Sequence, residues 1–151
     1  MMFEVRIFVE TTYTGPARRD GAAMWLVEYM KNGVPITRDG MIRTEKGTEN
    51  QAALEAVIAA LRILKKQCSV RVFTQCEHIL AAMRNGWSEQ WQKAGWINAK
   101  GKPVKNADLW KDLLEEMEKH EVTFEAGPHE YQSLMQSEAR KEMERWKGTK
   151  S

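Results

Sequence analysis

The sequence is poor in the features that mark membrane, secreted or zinc-binding proteins. No apolar run approaches the roughly 20 residues of a membrane-spanning helix. Glu4 and Arg6 interrupt the N-terminal segment, which argues against a secretory signal there, so the expected location is the cytoplasm. Cysteine is nearly missing. Cys68 and Cys76 stand alone, with no CxxC pair and no clustered histidine, so two reduced thiols are expected. Charge of one sign is scarce as well: a net +2 over the whole chain does not by itself argue for a polyanionic partner. Internal repeats and linkers are absent. With 151 residues, 42% of them hydrophobic, the chain suits one globular domain. We place it at 1–147, with a frayed polar tail at 148–151.

What basic charge there is gathers in one stretch. Residues 86–110 read GWSEQWQKAGWINAKGKPVKNADLW. Trp87 and Trp91 share a helix face, because positions i and i+4 are neighbours there. Lys93, Lys100, Lys102 and Lys105 follow, with Glu89 the only acid before Asp108. Gly101 and Pro103 punctuate a basic loop, and Asn106 is a good N-cap for a new helix. Lysines beside flat rings suit a nucleic acid: lysines meet phosphates, and rings pack on sugars or bases. The composition also allows a plainer reading, in which tryptophans at helical spacing pack a core and loop lysines are merely solvated.

The rest of the chain switches between strand and helix periods. Strands are expected at 3–9, 22–30 and 34–44, with Asn32-Gly33 as a hairpin turn and Asp39-Gly40 as a bulge. A helix at 48–65 aligns Leu54, Val57, Ile58, Leu61 and Leu64. Thr48 is its candidate cap, and Gln51 completes a capping-box pattern. A strand at 69–74 and a helix at 77–85 precede the basic stretch. After it come a helix at 108–120 with Leu109, Leu113, Leu114 and Met117 inward, a strand at 122–125, and a last helix at 131–146. The order gives an α/β fold: a mixed five-stranded sheet, three antiparallel strands and then parallel ones, with helices on both faces.

This order, with the run GW…W…GW…KGKPVKNADLW, resembles bacterial type I ribonuclease H, and the resemblance runs over residues 4–145. In that family a basic protrusion, or handle, holds the DNA strand of an RNA–DNA hybrid. The resemblance implies Lys100, Lys102, Lys105 and Asn106 as handle contacts, with Trp87 facing the backbone and Trp91 and Lys93 on the same surface. Thr48 and Asn50 match positions that touch the phosphate backbone and the RNA sugar. Gly15 keeps a turn that brings backbone amides near the RNA. Pro16 and Glu77 depart from the pattern, and Arg18 and Arg19 are placed to compensate.

The resemblance also implies hydrolysis of the RNA strand by two Mg²⁺ ions held by four acids. Here the chain departs from the family. The first-strand Asp falls on Glu10, the helix Glu on Ala53, the acid after the fourth strand on Gln75, and the last-helix Asp on Gln136. One acid remains, a methylene longer. Glu55, Glu77 and Glu138 each lie two residues beyond a lost position. Two residues are about 200° of helical rotation, so Glu55 and Glu138 point away, while Glu77 is one step past a strand end. His129 sits near the family's mobile histidine, with Pro128 as a competing match.

We therefore expect a ribonuclease-H-like domain that binds nucleic acid, an RNA–DNA hybrid or a duplex, without hydrolysis, cofactor or membrane contact. Glu10 is the residual catalytic acid and the sole candidate for a weak metal contact. Two alternatives remain open. One is an active Mg²⁺- or Mn²⁺-dependent hybrid ribonuclease with a displaced acid set. The other is a protein-interaction or scaffold module within a larger nucleic-acid complex.

Overall fold

The computed structural model describes residues 2–150; Met1 and Ser151, at the ends of the expected domain and tail, lie outside them. The strands are β1 (Phe3–Thr11), β2 (Arg19–Lys31), β3 (Val34–Gly47), β4 (Cys68–Thr74) and β5 (Glu121–Glu125). The helices are α1 (Glu49–Arg62), α2 (Glu77–Arg84), α3 (Trp87–Lys93), α4 (Ala107–Met117) and α5 (Gln132–Lys150). The sheet order is β3-β2-β1-β4-β5. β2 pairs antiparallel with both β1 and β3, and β4 pairs parallel with both β1 and β5. This is the expected mixed sheet.

The central strand is buried on both sides, which is why its alternation is between two cores rather than core and water. Val5, Ile7 and Val9 join Leu54, Val57 and Leu61 of α1, Ile79 of α2, and Trp110 and Leu113 of α4. Phe8 faces the other way, into a smaller cluster with Met24, Leu26 and Met135 of α5. Side chains alternate along a strand, so Glu10 shares the face of Phe8 and looks toward α5. That single register places the one surviving acid.

Local chemistry fixes most boundaries. Asn32 and Gly33 both take positive φ, 52° and 79°, as a tight hairpin turn needs. The expected bulge at Asp39-Gly40 is not there: pairing is continuous through Asp39↔Leu26 and Gly40↔Trp25, and the irregularity falls between Arg19 and Gly21. Gly40 serves packing instead. A Cβ on it would lie 2.4 Å from a ring carbon of Trp25. Thr48 caps α1, its hydroxyl accepting the Gln51 N–H at 3.3 Å. The capping box is only half made, because the Gln51 carboxamide turns to Glu55. In α4 the deepest residue is Trp110, which the helical pattern did not count as core; Leu113 is also fully buried, and Leu109, Leu114 and Met117 are half-buried. α5 continues through Lys150, past the point where fraying was expected to begin.

Candidate nucleic-acid interface

Glu10 lies at the end of β1, and its side chain is only 2% exposed. Both carboxylate oxygens have protein partners. Oε2 is 2.9 Å from Nε2 of His129, and Oε1 accepts from the Gln136 carboxamide Nε2 at 3.0 Å. The histidine's other nitrogen settles the proton. Nδ1 accepts the backbone N–H of Tyr131 at 3.2 Å, so the neutral ring carries its hydrogen on Nε2 and donates to Glu10. The ring packs on Phe8, centroids 4.5 Å apart. His129 is therefore not the exposed, mobile histidine of the resemblance. It is a buried tie between the loop before α5 and the end of β1.

The other three family positions do different work. Ala53 is fully buried in the α1 face of the core. Gln75 is exposed, lines the same cavity as Glu10, and donates from Nε2 to the carbonyl of Gly127 at 2.8 Å. Gln136 holds Glu10. The three candidates for displaced acids are engaged elsewhere: Glu55 with Gln51, Glu77 with Arg84, and Glu138 with Lys141. Among the described residues, no group of three or more His, Cys, Asp or Glu could hold a metal ion. Mg²⁺ demands oxygen ligands in near-octahedral array, usually carboxylates and water. One carboxylate already bonded on both oxygens, beside two carboxamides, does not fit a two-magnesium centre.

One acid near this corner was missed by the sequence reading. Glu49 lies one helical turn before Ala53 and so on the same face of α1. It lines a cavity of about 110 Å³ together with Glu10, Tyr13, Cys76 and Gln136. Burial raises its carboxyl above the ordinary value. The i−4 spacing was the available signal.

A groove opens from there toward the handle. Glu49 also lines a hollow of about 680 Å³ with Arg18, Thr48, Asn50, Lys105 and Asn106. His78 and Lys105 connect it to a second hollow that adds Lys102 and Trp91. Trp91 and Asn98 connect that one to a third, which adds Trp87 and Lys100. The expected contacts thus fall along one path. Lys93 is the exception: it is exposed on α3 and lines none of the three.

Several of these residues have a structural task as well. Asn50 Oδ1 lies 3.3 Å from the Cys76 thiol, whose pKa burial pushes up to about 11, so the S–H is the donor. Trp87 and Trp91 are half-buried around His78, and Trp91 meets the buried Trp110 edge-on at 5.4 Å. Burial lowers the pKa of His78 and keeps it neutral at pH 7, so it adds no cation to the groove. Asn106 begins α4 in the left-handed region, φ 59°, and its side chain makes no capping bond. The expected N-cap bond is absent because the left-handed backbone departs from the extended geometry in which a cap reaches the helix amides. Arg18 lines the groove while bonding the Lys46 carbonyl, and Arg19 turns back to Thr12. Asn98, which the sequence reading passed over, orders the lysine loop. Its Oδ1 accepts the backbone N–H groups of Lys100 at 2.9 Å and Lys102 at 3.0 Å.

The family model for RNase H matches residues 4–127. The chain belongs to the ribonuclease H family. It is 35% identical over 120 residues to a ribonuclease H of Thermoanaerobacter sp. (strain X514), covering 80% of this chain and 74% of that protein. A ribonuclease H of Thermus thermophilus is 46% identical over 77 residues, 51% of this chain and 46% of that one. Among solved structures, LC9-RNase H1, a type 1 RNase H with the type 2 active-site motif, superposes with a TM-score of 0.74 at 23% identity, over 93% of this chain and 70% of that one. LC11-RNase H1, solved in complex with an RNA/DNA hybrid, gives a TM-score of 0.56 at 18% identity, over 84% and 87%. These two likenesses speak for the ribonuclease H fold.

Proposed function

We propose that this ribonuclease H family member binds nucleic acid, an RNA–DNA hybrid or a duplex, and does not hydrolyse it. The observation that carries the second half is the corner at Glu10. The Glu10 carboxylate is held by His129 and Gln136, and the companion positions Ala53, Gln75 and Gln136 are neutral, so no other family acid joins it in a metal site. Two-metal hydrolysis needs ligands that activate the attacking water and stabilise the leaving oxygen. The first half is supported by the groove from Thr48 and Asn50 to Lys100, by the family membership, and by the hybrid bound to a structural neighbour.

Purified protein incubated with an RNA–DNA hybrid and Mg²⁺ or Mn²⁺ is expected to leave the RNA strand intact. The same protein should bind the hybrid at low salt and lose it as salt rises through counterion release. Glu49 is the one observation favouring the hydrolase reading, since it brings a second carboxylate to the Glu10 cavity. Multiple turnovers abolished by Glu49→Gln or Glu10→Gln would establish that reading and overturn ours. Absence of binding at low salt would move the chain to the protein-interaction reading.

A further inference from the structure

The sheet has two open edges, and their charges are arranged differently. β5 ends the sheet on one side, beside β4, and β3 ends it on the other, beside β2. An edge strand offers unpaired backbone groups to another strand, and charges on the edge commonly keep such strands apart. β5 follows that rule: if two copies met antiparallel about Thr123, Glu121 of each would stand opposite Glu125 of the other. β3 does not. Its pairing with β2 is unbroken from Val34 to Gly40 and on to Thr44. Asp39, Met41 and Arg43 share the face of α5, where Met41 packs against the smaller core and Arg43 donates from Nε to Glu142 at 2.8 Å. Gly40 and Ile42 share the face of α1, with the Trp25 ring over Gly40. Asp39 is exposed and makes no ion pair among the described residues.

We propose that the free edge of β3 docks on β3 of a second copy of this chain, antiparallel about a two-fold axis at Met41, joining the two sheets into one. This goes beyond the nucleic-acid reading and does not depend on it. In an antiparallel pair, directly opposite residues lie on the same face, so the axis of a continuous sheet passes through a residue. That residue decides every opposition. An axis at Arg38, Asp39 or Arg43 sets the charge there against its own copy. One at Gly40 pairs no charges, and one at Ile42 sets Asp39 against Glu45 and Arg38 against Lys46. Beyond Arg43 an axis meets Lys46, whose φ of 48° leaves the extended range. At Met41, Asp39 of each copy faces Arg43 of the other, so opposite charges meet twice. Arg43 reaches Glu142 through Nε, which leaves its terminal nitrogens for that carboxylate. The apolar groups agree with the charges. Met41 meets Met41 on the axis, and Ile42 stands opposite Gly40 of the second copy, against its Trp25. All three side chains are half-buried in one copy, so pairing removes more of their apolar surface from water.

The test follows the mass of the full chain, without nucleic acid, by sedimentation over a range of protein concentrations. A dimer whose fraction grows with concentration is expected. Asp39→Arg sets a guanidinium opposite Arg43 at both contacts and should raise the dimer dissociation constant roughly tenfold or more. Asp39 is exposed, so circular dichroism should show the fold unchanged. Mild oxidation of Met41→Cys should yield a covalent dimer, because directly opposed strand residues lie within disulfide reach. Thr37→Cys lies on the same face but opposite Glu45, and should not cross-link. Cys68 and Cys76 are buried and do not compete. A monomer at every concentration overturns the proposal. A dimer indifferent to Asp39→Arg, or equal cross-linking of the two cysteine variants, assigns association to another surface and overturns it as well.

Discussion

The corner at Glu10 and the groove under the handle treat their polar groups in opposite ways. At the corner, Glu10, His129 and Gln136 satisfy one another, and Gln75 is tied to the loop that follows β5. Along the groove, Lys100, Lys102 and Lys105 are exposed and make no ion pair among the described residues. The loop is shaped instead by Asn98, which bonds backbone amides and leaves the ammonium groups outward. The difference lies in whether polar groups satisfy one another or are left outward. A buried carboxylate is expensive unless donors satisfy it. His129 and Gln136 do so here, and Glu10 ties the end of β1 to α5 and the loop before it.

The comparison breaks most forcefully at Gln136. Gln136→Asp removes a donor from the buried Glu10 and sets a second, half-buried carboxylate beside it. A loss of roughly 1–3 kcal/mol is expected, the scale of a buried polar group left unsatisfied, which urea denaturation at pH 7 would register. The two carboxylates together would hold a proton more tightly when folded than unfolded, so the loss should shrink as pH falls. Recovery of stability with added Mg²⁺ would mean that this corner still accepts a metal, and the contrast with the groove would narrow.

A smaller effect is expected at Glu28, which secures the same loop from the far side. Glu28 is buried on β2 and takes hydrogen bonds from Arg6 and from Tyr131, two residues after His129. Burial pushes its carboxyl up, but the hydrogen bonds from Tyr131 and Arg6 and the Arg6 charge outweigh this and leave it below 4.5. A carboxyl lowered on folding contributes stability that is complete above its unfolded value and is lost as pH falls through the folded one. Stability should therefore decline below about pH 4.5, and Glu28→Gln should flatten that decline while lowering stability at pH 7. An unchanged acid limb would show that the loop is held without Glu28.

The fold was legible because it rests on local signals that agree. Asn32-Gly33, Thr48 and the apolar period of α1 each specified their element, and the order of elements specified the sheet. The path of lysines was legible as well, since it lies within one continuous stretch. The corner was not. Glu10, His129 and Gln136 are far apart in sequence, and no spacing announces that a histidine 119 residues away donates to a strand-end acid. The handle tryptophans were only half read: Trp110 sits at the end of the basic stretch yet is a fully buried core residue on which Trp91 packs. The Asn106 cap failed because sequence preference does not report backbone handedness.

Within the groove, the comparison can be sharpened by lysines that differ only in place. Lys102→Ala or Lys105→Ala should reduce the log–log salt slope of hybrid binding by about one unit, as for a phosphate contact. Lys93→Ala should leave the slope unchanged, because Lys93 lines none of the three hollows. Equal losses from all three would mean that net charge acts at long range and that the path has no geometry of its own.

The smallest effect belongs to Glu49, which lines both the corner cavity and the groove. Its carboxylate faces the way a phosphate backbone would take past Thr48 and Asn50. Glu49→Gln should strengthen hybrid binding by about twofold to fivefold at low salt, the scale of one partly screened charge. The gain should fade as salt rises. Burial raises the Glu49 carboxyl, so its charge opposes folding at pH 7 despite its place in the first turn of α1, and Glu49→Gln should bring no loss of stability. Tighter binding without destabilisation then reports a phosphate-facing role. Binding that does not change would place the nucleic-acid path away from Glu49 and confine it to the handle side of the groove.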